Sequence, residues 1–377
     1  MAWRLTILSL LLAGLATAQD DDTARLRRAV ELQQSGHLAE AVTDYQAFLQ
    51  AHPDAAGVRS NLGAALAAEG HYSEAIEQYT LALKALPENY GIRFNLGLAY
   101  YKAGNIGQAV REFEAVNAAL PVNDAQRRRV ALLLAECYLR EGENGRVISL
   151  LGPIADSNPD DPTLDYLLGT ALLHEGQTER GALLIQRLLQ NGDTAEAHML
   201  MAYTQYQAHD KEKAIVEVDR AIALNPNLPE AHSLRGRLAF LESDLKGAEA
   251  EFRKALALDP NSFDALLWLG TLLREQGQLE QAHEELGRAI QLRPQDIRAR
   301  YQFARLCSDE GDDARAATLL EGLVKDDPQY TEAHRTLATI YFRLGRPEDG
   351  RRERKIAEDL NAAIQAKDEQ RGRNLTK

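Results

Sequence analysis

Three histidines recur in one short triplet, the first place in this sequence where side chains could do chemistry together. His198, His232 and His334 each end a Glu-Ala-His sequence, and histidine is a common metal ligand. A zinc site needs its ligand atoms within about 2.0–2.3 Å of one ion, whereas each triplet belongs to a different copy of the repeat described below. We therefore predict that these histidines pack between helices and that the chain holds no metal ion.

The cysteines and the known catalytic motifs give no indication of an enzyme. Cys137 and Cys307 are too few for a disulfide framework, and five repeats separate them, beyond the roughly 7 Å between Cα atoms that a disulfide allows. We expect both thiols to be buried. The sequence has no phosphate-binding glycine loop and no G-x-S-x-G turn, and His283 lacks the second histidine of an H-E-x-x-H helix. It predicts no catalytic residue, no cofactor and no enzyme activity.

Composition and charge exclude several broad classes of protein. The 377 residues are 45% hydrophobic and 26% charged, which argues against a disordered, collagen-like or polytopic membrane protein. Lys and Arg number 43 against 56 Asp and Glu, a net charge of −13. Nucleic-acid binding needs a clustered basic surface, so nucleic-acid binding is not predicted for this acidic chain. The run Arg351 to Lys355 is interpreted as a solvated helix face.

The first residues have the layout of a secretory signal peptide. Arg4 precedes an apolar run from Leu5 to Leu15, and Ala16-Thr17-Ala18 fits the small-residue cleavage rule. We predict cleavage of residues 1–18 and export to the periplasm of a bacterium or to the exterior, with the periplasm favoured. Retention of the run as a membrane anchor is the alternative, although the run is short for a bilayer. The sequence has no second stretch that could span a membrane.

A repeat of about 34 residues fills almost all of the chain after this leader. Position 8 of the repeat is glycine or alanine in every copy, and eight of the 12 prolines fall at position 32. The ten copies start at Asp22, Ala56, Tyr90, Arg128, Pro162, Ala195, Pro229, Phe263, Ile297 and Thr331.

The spacing of residue types within a copy predicts two amphipathic helices. Positions 4, 7, 8 and 11 share one helical face, and positions 20, 24 and 27 share another. Small residues at positions 8 and 20 let the two helices approach closely. Glycine at position 15 suits a left-handed turn after the first helix, and proline at position 32 ends the second.

This pattern resembles the tetratricopeptide repeat family, most specifically in the copies that start at Ala56, Tyr90 and Phe263. The resemblance implies an all-α fold, a right-handed α-solenoid of about ten helix-turn-helix repeats over residues 22–364, with polar terminal copies as caps. Four additional residues, 124–127, are expected to form a loop.

The sequence also predicts how the last helix and the C-terminal tail are arranged. Ile356, Leu360 and Ile364 continue an apolar stripe with a spacing of four residues. We expect the last helix to run on along this stripe and cover the exposed end of the stack. Residues 365–377 are interpreted as a C-terminal tail.

The resemblance also implies that positions 2, 5, 9 and 12 of the first helices line a groove for protein or peptide partners. This stripe is rich in aromatic residues, which usually mark interaction sites when exposed. Packing against the neighbouring first helix is the other interpretation of these side chains, and both can hold together. Two asparagines at position 6 of adjacent copies could clamp an extended peptide backbone. The candidate residues are Phe94, Tyr101, Tyr166, Met199, Tyr203, Tyr206, Phe240, Trp268, Asn61 and Asn95.

Arginines enter the same face toward the end of the chain. They share it with Asp264, Glu275, Asp309 and Glu332, which leaves the sign of its potential open. The family's clamp for C-terminal carboxylates needs lysines and asparagines that have no counterpart here. The arginines are Arg237, Arg274, Arg298, Arg305, Arg335 and Arg343.

Three classes of function fit this sequence. We favour an exported, non-catalytic scaffold that binds other proteins during assembly of a bacterial envelope complex. A chaperone-like holder of extended client peptides and an accessory subunit of an enzyme on another chain are the alternatives.

Overall fold

A computed structural model describes residues 21–121, 124–155, 161–190 and 192–375, with side chains as far as residue 366. Every regular element in these ranges is an α-helix. The predicted signal peptide lies outside the described residues. In chain order the helices are α1 (21–34 in its described part), α2 (Leu38–Ala51), α3 (Ala56–Ala68), α4 (Tyr72–Ala85), α5 (Tyr90–Lys102), α6 (Ile106–Ala119), α7 (Ala125–Glu141), α8 (Asn144–Ala155), α9 (Pro162–His174), α10 (Thr178–Gln190), α11 (Ala195–Gln207), α12 (Lys211–Leu224), α13 (Pro229–Leu241), α14 (Leu245–Leu258), α15 (Phe263–Glu275), α16 (Leu279–Leu292), α17 (Ile297–Asp309), α18 (Asp313–Asp326), α19 (Thr331–Arg343) and α20 (Pro347–Leu375).

The odd-numbered helices are the first helices of the repeats, and most begin at the residue that the repeat pattern indicates. Many of these starts carry a side chain that accepts a hydrogen bond from the free amides of the first turn. Asn89 accepts from the amide of Ile92 at 3.1 Å, and Asp296 accepts from the amide of Ala299 at 3.0 Å. These caps therefore fix the starts of their helices at the residues that the 34-residue spacing predicts.

The fourth repeat departs from the predicted register. The four additional residues were expected to form a loop, but α7 already begins at Ala125. Asp124 caps this helix, because its carboxylate accepts a hydrogen bond from the amide of Gln126 at 2.7 Å. The prediction of a loop over 124–127 is therefore wrong, and the insertion lengthens a helix by one turn.

In four repeats a glycine on the first helix packs directly against a large side chain on the second. A Cβ atom added to Gly97 would lie 2.7 Å from the ring of Phe113, and one added to Gly270 would lie 2.7 Å from Cγ of Leu286. Phe113 and Leu286 are fully buried. Because the large side chain fills the space above the glycine, the two helices pack in direct contact.

The turn inside each repeat uses a left-handed backbone at position 15. Gly70 has φ of +85° and Gly277 has φ of +75°, a conformation that glycine adopts without steric cost. His209 and Ser243 occupy the same position in their repeats with φ of 59° and 63°. The turn geometry is thus kept even where the sequence lacks glycine.

The chain divides into two compact units, Met1–Ala171 and Leu172–Lys377, with the boundary inside α9. In the first unit, helix pairs pack around a core that includes Tyr45, Leu62 and Tyr79. In the second, the core includes Phe252, Leu266 and Leu286. Each unit is an all-α solenoid of antiparallel helix pairs, as the sequence predicts.

The last helix extends further than the predicted tail boundary. α20 runs from Pro347 to Leu375, so the backbone of 365–375 is helical. Ala357 is buried, whereas Ile364 is 51% exposed. The apolar stripe therefore stops contributing to the core before Ile364. Among the described residues, no helix is both long and apolar enough to cross a membrane.

Candidate partner-binding site

The triplet histidines connect the helices of a repeat. His232 lies between the carboxylate of Glu251, 2.6 Å from Nδ1, and the carbonyl of Pro226, 2.9 Å from Nε2. His334 makes the same pair of contacts at 2.6 and 3.1 Å. Each side chain joins the two helices of its own repeat to the end of the preceding one. The described residues contain no cluster of three or more potential metal ligands.

Both cysteines lie in the core, as expected. Cys137 and Cys307 are fully buried free thiols. Burial raises the pKa of Cys137 to about 12 and also raises the pKa of Cys307. A thiol that stays protonated is a poor nucleophile, so neither residue is suited to catalysis.

The candidate residues of the first unit differ in exposure. Phe94 is buried and packs on Phe113 with ring centroids 5.9 Å apart, so it belongs to the core. Tyr101 is partly buried, and its hydroxyl donates to Glu136 at 3.0 Å. Burial and the Glu136 carboxylate raise the pKa of Tyr101, which keeps this donor protonated. Tyr166 is partly buried on α9.

The two asparagines also belong to the first unit. Asn61 on α3 is exposed, and Asn95 on α5 is partly buried. They occupy the same position in adjacent repeats, and α3 contacts α5. Two amides at equivalent positions could bind the backbone of an extended segment, which would fit the predicted clamp.

A shallow depression of the first unit, about 400 Å³, is lined in part by polar groups that pair with one another. The hydroxyl of Tyr138 donates to Glu114 at 2.7 Å, and Arg146 pairs with the same carboxylate. The guanidinium carbon of Arg146 also lies 4.0 Å from the centre of the Tyr138 ring. Oδ1 of Asn117, which also lines the depression, is buried and has no hydrogen-bond partner among the described residues.

The candidate residues of the second unit come together on the first helices α11, α13 and α15. The rings of Tyr203 and Tyr206 lie 6.4 Å apart, and those of Phe240 and Trp268 lie 5.8 Å apart. All four side chains are partly buried. Met199 is 8% exposed and packs in the interior, so it is not available to a partner.

Arg237 joins the two aromatic pairs. It projects from α13, which contacts both α11 and α15. Its guanidinium carbon lies 4.3 Å from the centre of the Tyr206 ring and 4.7 Å from that of Trp268. Both distances allow cation–π attraction. We call Tyr203, Tyr206, Arg237, Phe240 and Trp268 the arginine–aromatic cluster.

Two donors of the cluster have no acceptor. Nε of Arg237 and Nε1 of Trp268 are buried and make no hydrogen bond within the part of the chain that the structure describes. Buried donors normally have partners, and leaving one unsatisfied costs about 1–3 kcal/mol. The cluster therefore combines aromatic surface with unused hydrogen-bonding capacity.

A histidine that sequence reasoning did not single out borders the cluster. His174 stacks on Tyr203 with ring centroids 4.5 Å apart and planes 7° apart. His174 is exposed at the end of α9, where this ring stack forms. The sequence does place His174 at the end of a first helix, and the following repeat carries a tyrosine, Tyr203, on its own first helix. These two positions were the signal from which the contact could have been predicted.

Most other arginines of this face are paired with carboxylates. Arg274 is buried and lies 2.7 Å from Asp309 and 3.5 Å from Glu275. Arg298 lies 3.6 Å from Asp264 and 3.2 Å from Asp296.

Arg298 also sets the charge of its neighbour Asp264. Burial alone would raise the pKa of Asp264, but the charges of Arg298 and Arg293 outweigh burial and lower it. Asp264 is therefore a carboxylate at neutral pH.

Of the arginines on this face, Arg237 is the one whose guanidinium lies close to rings from two neighbouring first helices, Tyr206 on α11 and Trp268 on α15.

One solved structure supports the fold. The crystal structure of the APC/C hetero-tetramer Cut9–Hcn1 contains a chain similar to this one, with a TM-score of 0.55 and 12% identity over 90% of this chain and 87% of that chain. Yeast Tom70 is similar over 94% of this chain and 97% of its own, with 17% identity and a TM-score of 0.37. No protein in the curated comparison matches the sequence significantly.

Family models of the tetratricopeptide repeat match most of the chain. One matches residues 66–137, 239–306 and 273–329, a second matches 26–90 and 199–263, and a third matches 331–353. Together with the helix pairs and their small-to-large packing, these matches show that the chain belongs to the tetratricopeptide repeat family.

Proposed function

We propose that this protein is an exported, non-catalytic scaffold that binds a partner protein through the arginine–aromatic cluster of its second unit. A role in protein interaction is supported by the repeat family and the solenoid fold. The observation that carries the proposed site is that two pairs of partly buried aromatic rings each place one ring, Tyr206 or Trp268, against Arg237. Aromatic residues and arginine are enriched at the positions that contribute most to binding energy at interfaces.

Export and a role in assembly of a bacterial envelope complex complete the proposal. The motivation for export is the sequence of charged, apolar and small residues from Arg4 to Ala18. Mass measurement of the protein from its native host tests it. A chain that begins at Gln19 in the envelope fraction is expected, and an intact Met1 in the cytosolic fraction would contradict export.

The proposed binding site is tested by comparing two matched double variants. Tyr203→Ser with Tyr206→Ser removes aromatic surface from the cluster. Leu183→Ser with Val216→Ser removes exposed apolar surface from the second helices, where these side chains are 63% and 66% exposed. Proteins captured from the envelope fraction by each variant are quantified by mass spectrometry against the unaltered chain.

We expect the tyrosine variant to lose one or two stoichiometric partners while keeping its helicity. Loss of a good aromatic anchor costs about 2 kcal/mol, so the pair should weaken capture by well over tenfold. The control variant should keep these partners. Equal capture by both variants would contradict the proposed site. Many weakly bound, unrelated proteins would instead favour a holder of client peptides.

A further inference from the structure

The environment of Arg237 restricts what it can bind. The rings of Tyr206 and Trp268 flank its guanidinium at 4.3 and 4.7 Å. A guanidinium is planar and carries its N–H groups in that plane, so it offers hydrogen bonds along its edge while the two rings pack against it. An edge of this kind matches the two oxygens of a carboxylate, which accept two parallel hydrogen bonds.

The protein itself supplies no carboxylate to this edge. Arg274 and Arg298, on the next two first helices, each have carboxylates within 4 Å. Arg237 has none among the described residues, and its Nε is buried without an acceptor. Its two terminal nitrogens are not among the buried atoms, so an acceptor from a partner can reach them while Nε stays in the interior.

We propose that Arg237 recognises an aspartate or glutamate side chain of the partner protein. Apolar side chains that neighbour this acid pack against Tyr203, Tyr206 and Phe240. This inference rests on the proposed function and names the partner chemistry of the same site.

The test uses a random-peptide library displayed on phage and the full mature chain. Selection is run on the unaltered protein, on Arg237→Met, on Arg237→Lys and on Arg305→Met. Arg305 is the matched control, because it occupies the same repeat position two copies later but lies 5.8 Å from a single ring, Tyr301. Methionine retains an unbranched stem between the rings, and circular dichroism checks that each variant is folded.

The unaltered protein and Arg305→Met are expected to enrich peptides with an acid at one fixed place beside apolar residues. Arg237→Met should lose the acid preference, and Arg237→Lys should weaken it because lysine lacks the planar edge. A synthetic peptide from the selection is then compared with its Asp→Asn or Glu→Gln form by fluorescence polarisation. Amidation should weaken binding to the unaltered protein by at least about tenfold and leave Arg237→Met unaffected.

The results that overturn the inference differ from those that overturn the proposed site. Enriched peptides without an acid, or equal losses in Arg237→Met and Arg305→Met, would overturn recognition by Arg237 alone. Peptides that bind the Tyr203→Ser, Tyr206→Ser variant as well as the unaltered protein would overturn the proposed site and the inference with it. Failure to enrich any peptide would also overturn both the proposed site and the inference.

Discussion

The guanidinium carbon of Arg237 lies 4.7 Å from the centre of the Trp268 ring. These two residues belong to neighbouring repeats, so the contact depends on the stacking of α13 on α15. A stack of first helices places equivalent positions of successive repeats side by side, which lets one arginine be flanked by rings from both neighbours. The repeat architecture thereby builds an arginine–aromatic surface that no single repeat contains.

Gly270→Ala is expected to destabilise the second unit. The added Cβ would lie 2.7 Å from Cγ of Leu286 and 3.1 Å from its backbone nitrogen, so the helices must separate. Overpacking of this kind costs roughly 1–3 kcal/mol. Denaturant unfolding measures the change. Gly287→Ala is the control, because nothing lies within 4 Å of its added Cβ, and it should stabilise α16 by about 0.5–1 kcal/mol.

The damage from Gly270→Ala should also remain local. In a repeat protein each copy contacts mainly its neighbours, so energetic effects decay along the stack. Hydrogen exchange is expected to accelerate in α13 to α18 and to stay unchanged in α3 and α4. A uniform loss of protection across the whole chain would contradict this distribution of stability.

Stability around His198 should fall as the pH rises above about 6.5. Its two ring nitrogens each lie 2.5 Å from a carboxylate, Glu217 on one side and Asp193 on the other. Burial alone would lower the pKa of His198, but these hydrogen bonds outweigh burial and raise it. The stabilisation is fully present below the unfolded pKa of about 6.5 and is lost as the pH rises through the higher folded pKa.

Thermal unfolding as a function of pH measures this effect. His198→Gln should abolish the loss of stability above about pH 6.5, whereas His71→Gln, which changes an exposed turn residue, should preserve it. Equal pH profiles for the unaltered protein and His198→Gln would show that this histidine does not contribute.

The two thiols should be unreactive in the folded protein. Cys137 is fully buried with its pKa raised to about 12, so almost none of it is thiolate at pH 8. Titration with a chromogenic disulfide should detect both thiols in denaturant and react with the native chain far more slowly. Rapid modification of the native protein would place a cysteine at the surface and contradict this core.

The periodicity of the sequence predicts most of the fold because each repeat obeys local rules. Glycine or alanine at position 8 and proline at position 32 indicate where helices touch and end, and first helices begin at Ala56, Phe263 and Thr331 as the spacing requires. The start of α7 could not be read from the same spacing. There a local cap, Asp124, overrides the expected loop.

The proposed binding surface was harder to predict because it depends on contacts between repeats. Phe94 and Met199 share position 5 of the aromatic stripe, yet both are buried, since that position faces neighbouring helices as well as solvent. The placement of Arg237 between two rings needs three successive repeats in register. Sequence patterns show which residue types lie on this face, but they do not show which arginine lacks a carboxylate partner.

Hydrogen exchange of the full chain, with and without the captured partner, tests the central claim most directly. If the arginine–aromatic cluster binds the partner, protection should increase in α11, α13 and α15 while the second helices α10 and α12 remain unchanged. The Tyr203→Ser, Tyr206→Ser variant should lose this protection at the same partner concentration. Protection confined to the second helices, or to the first unit, would contradict the claim.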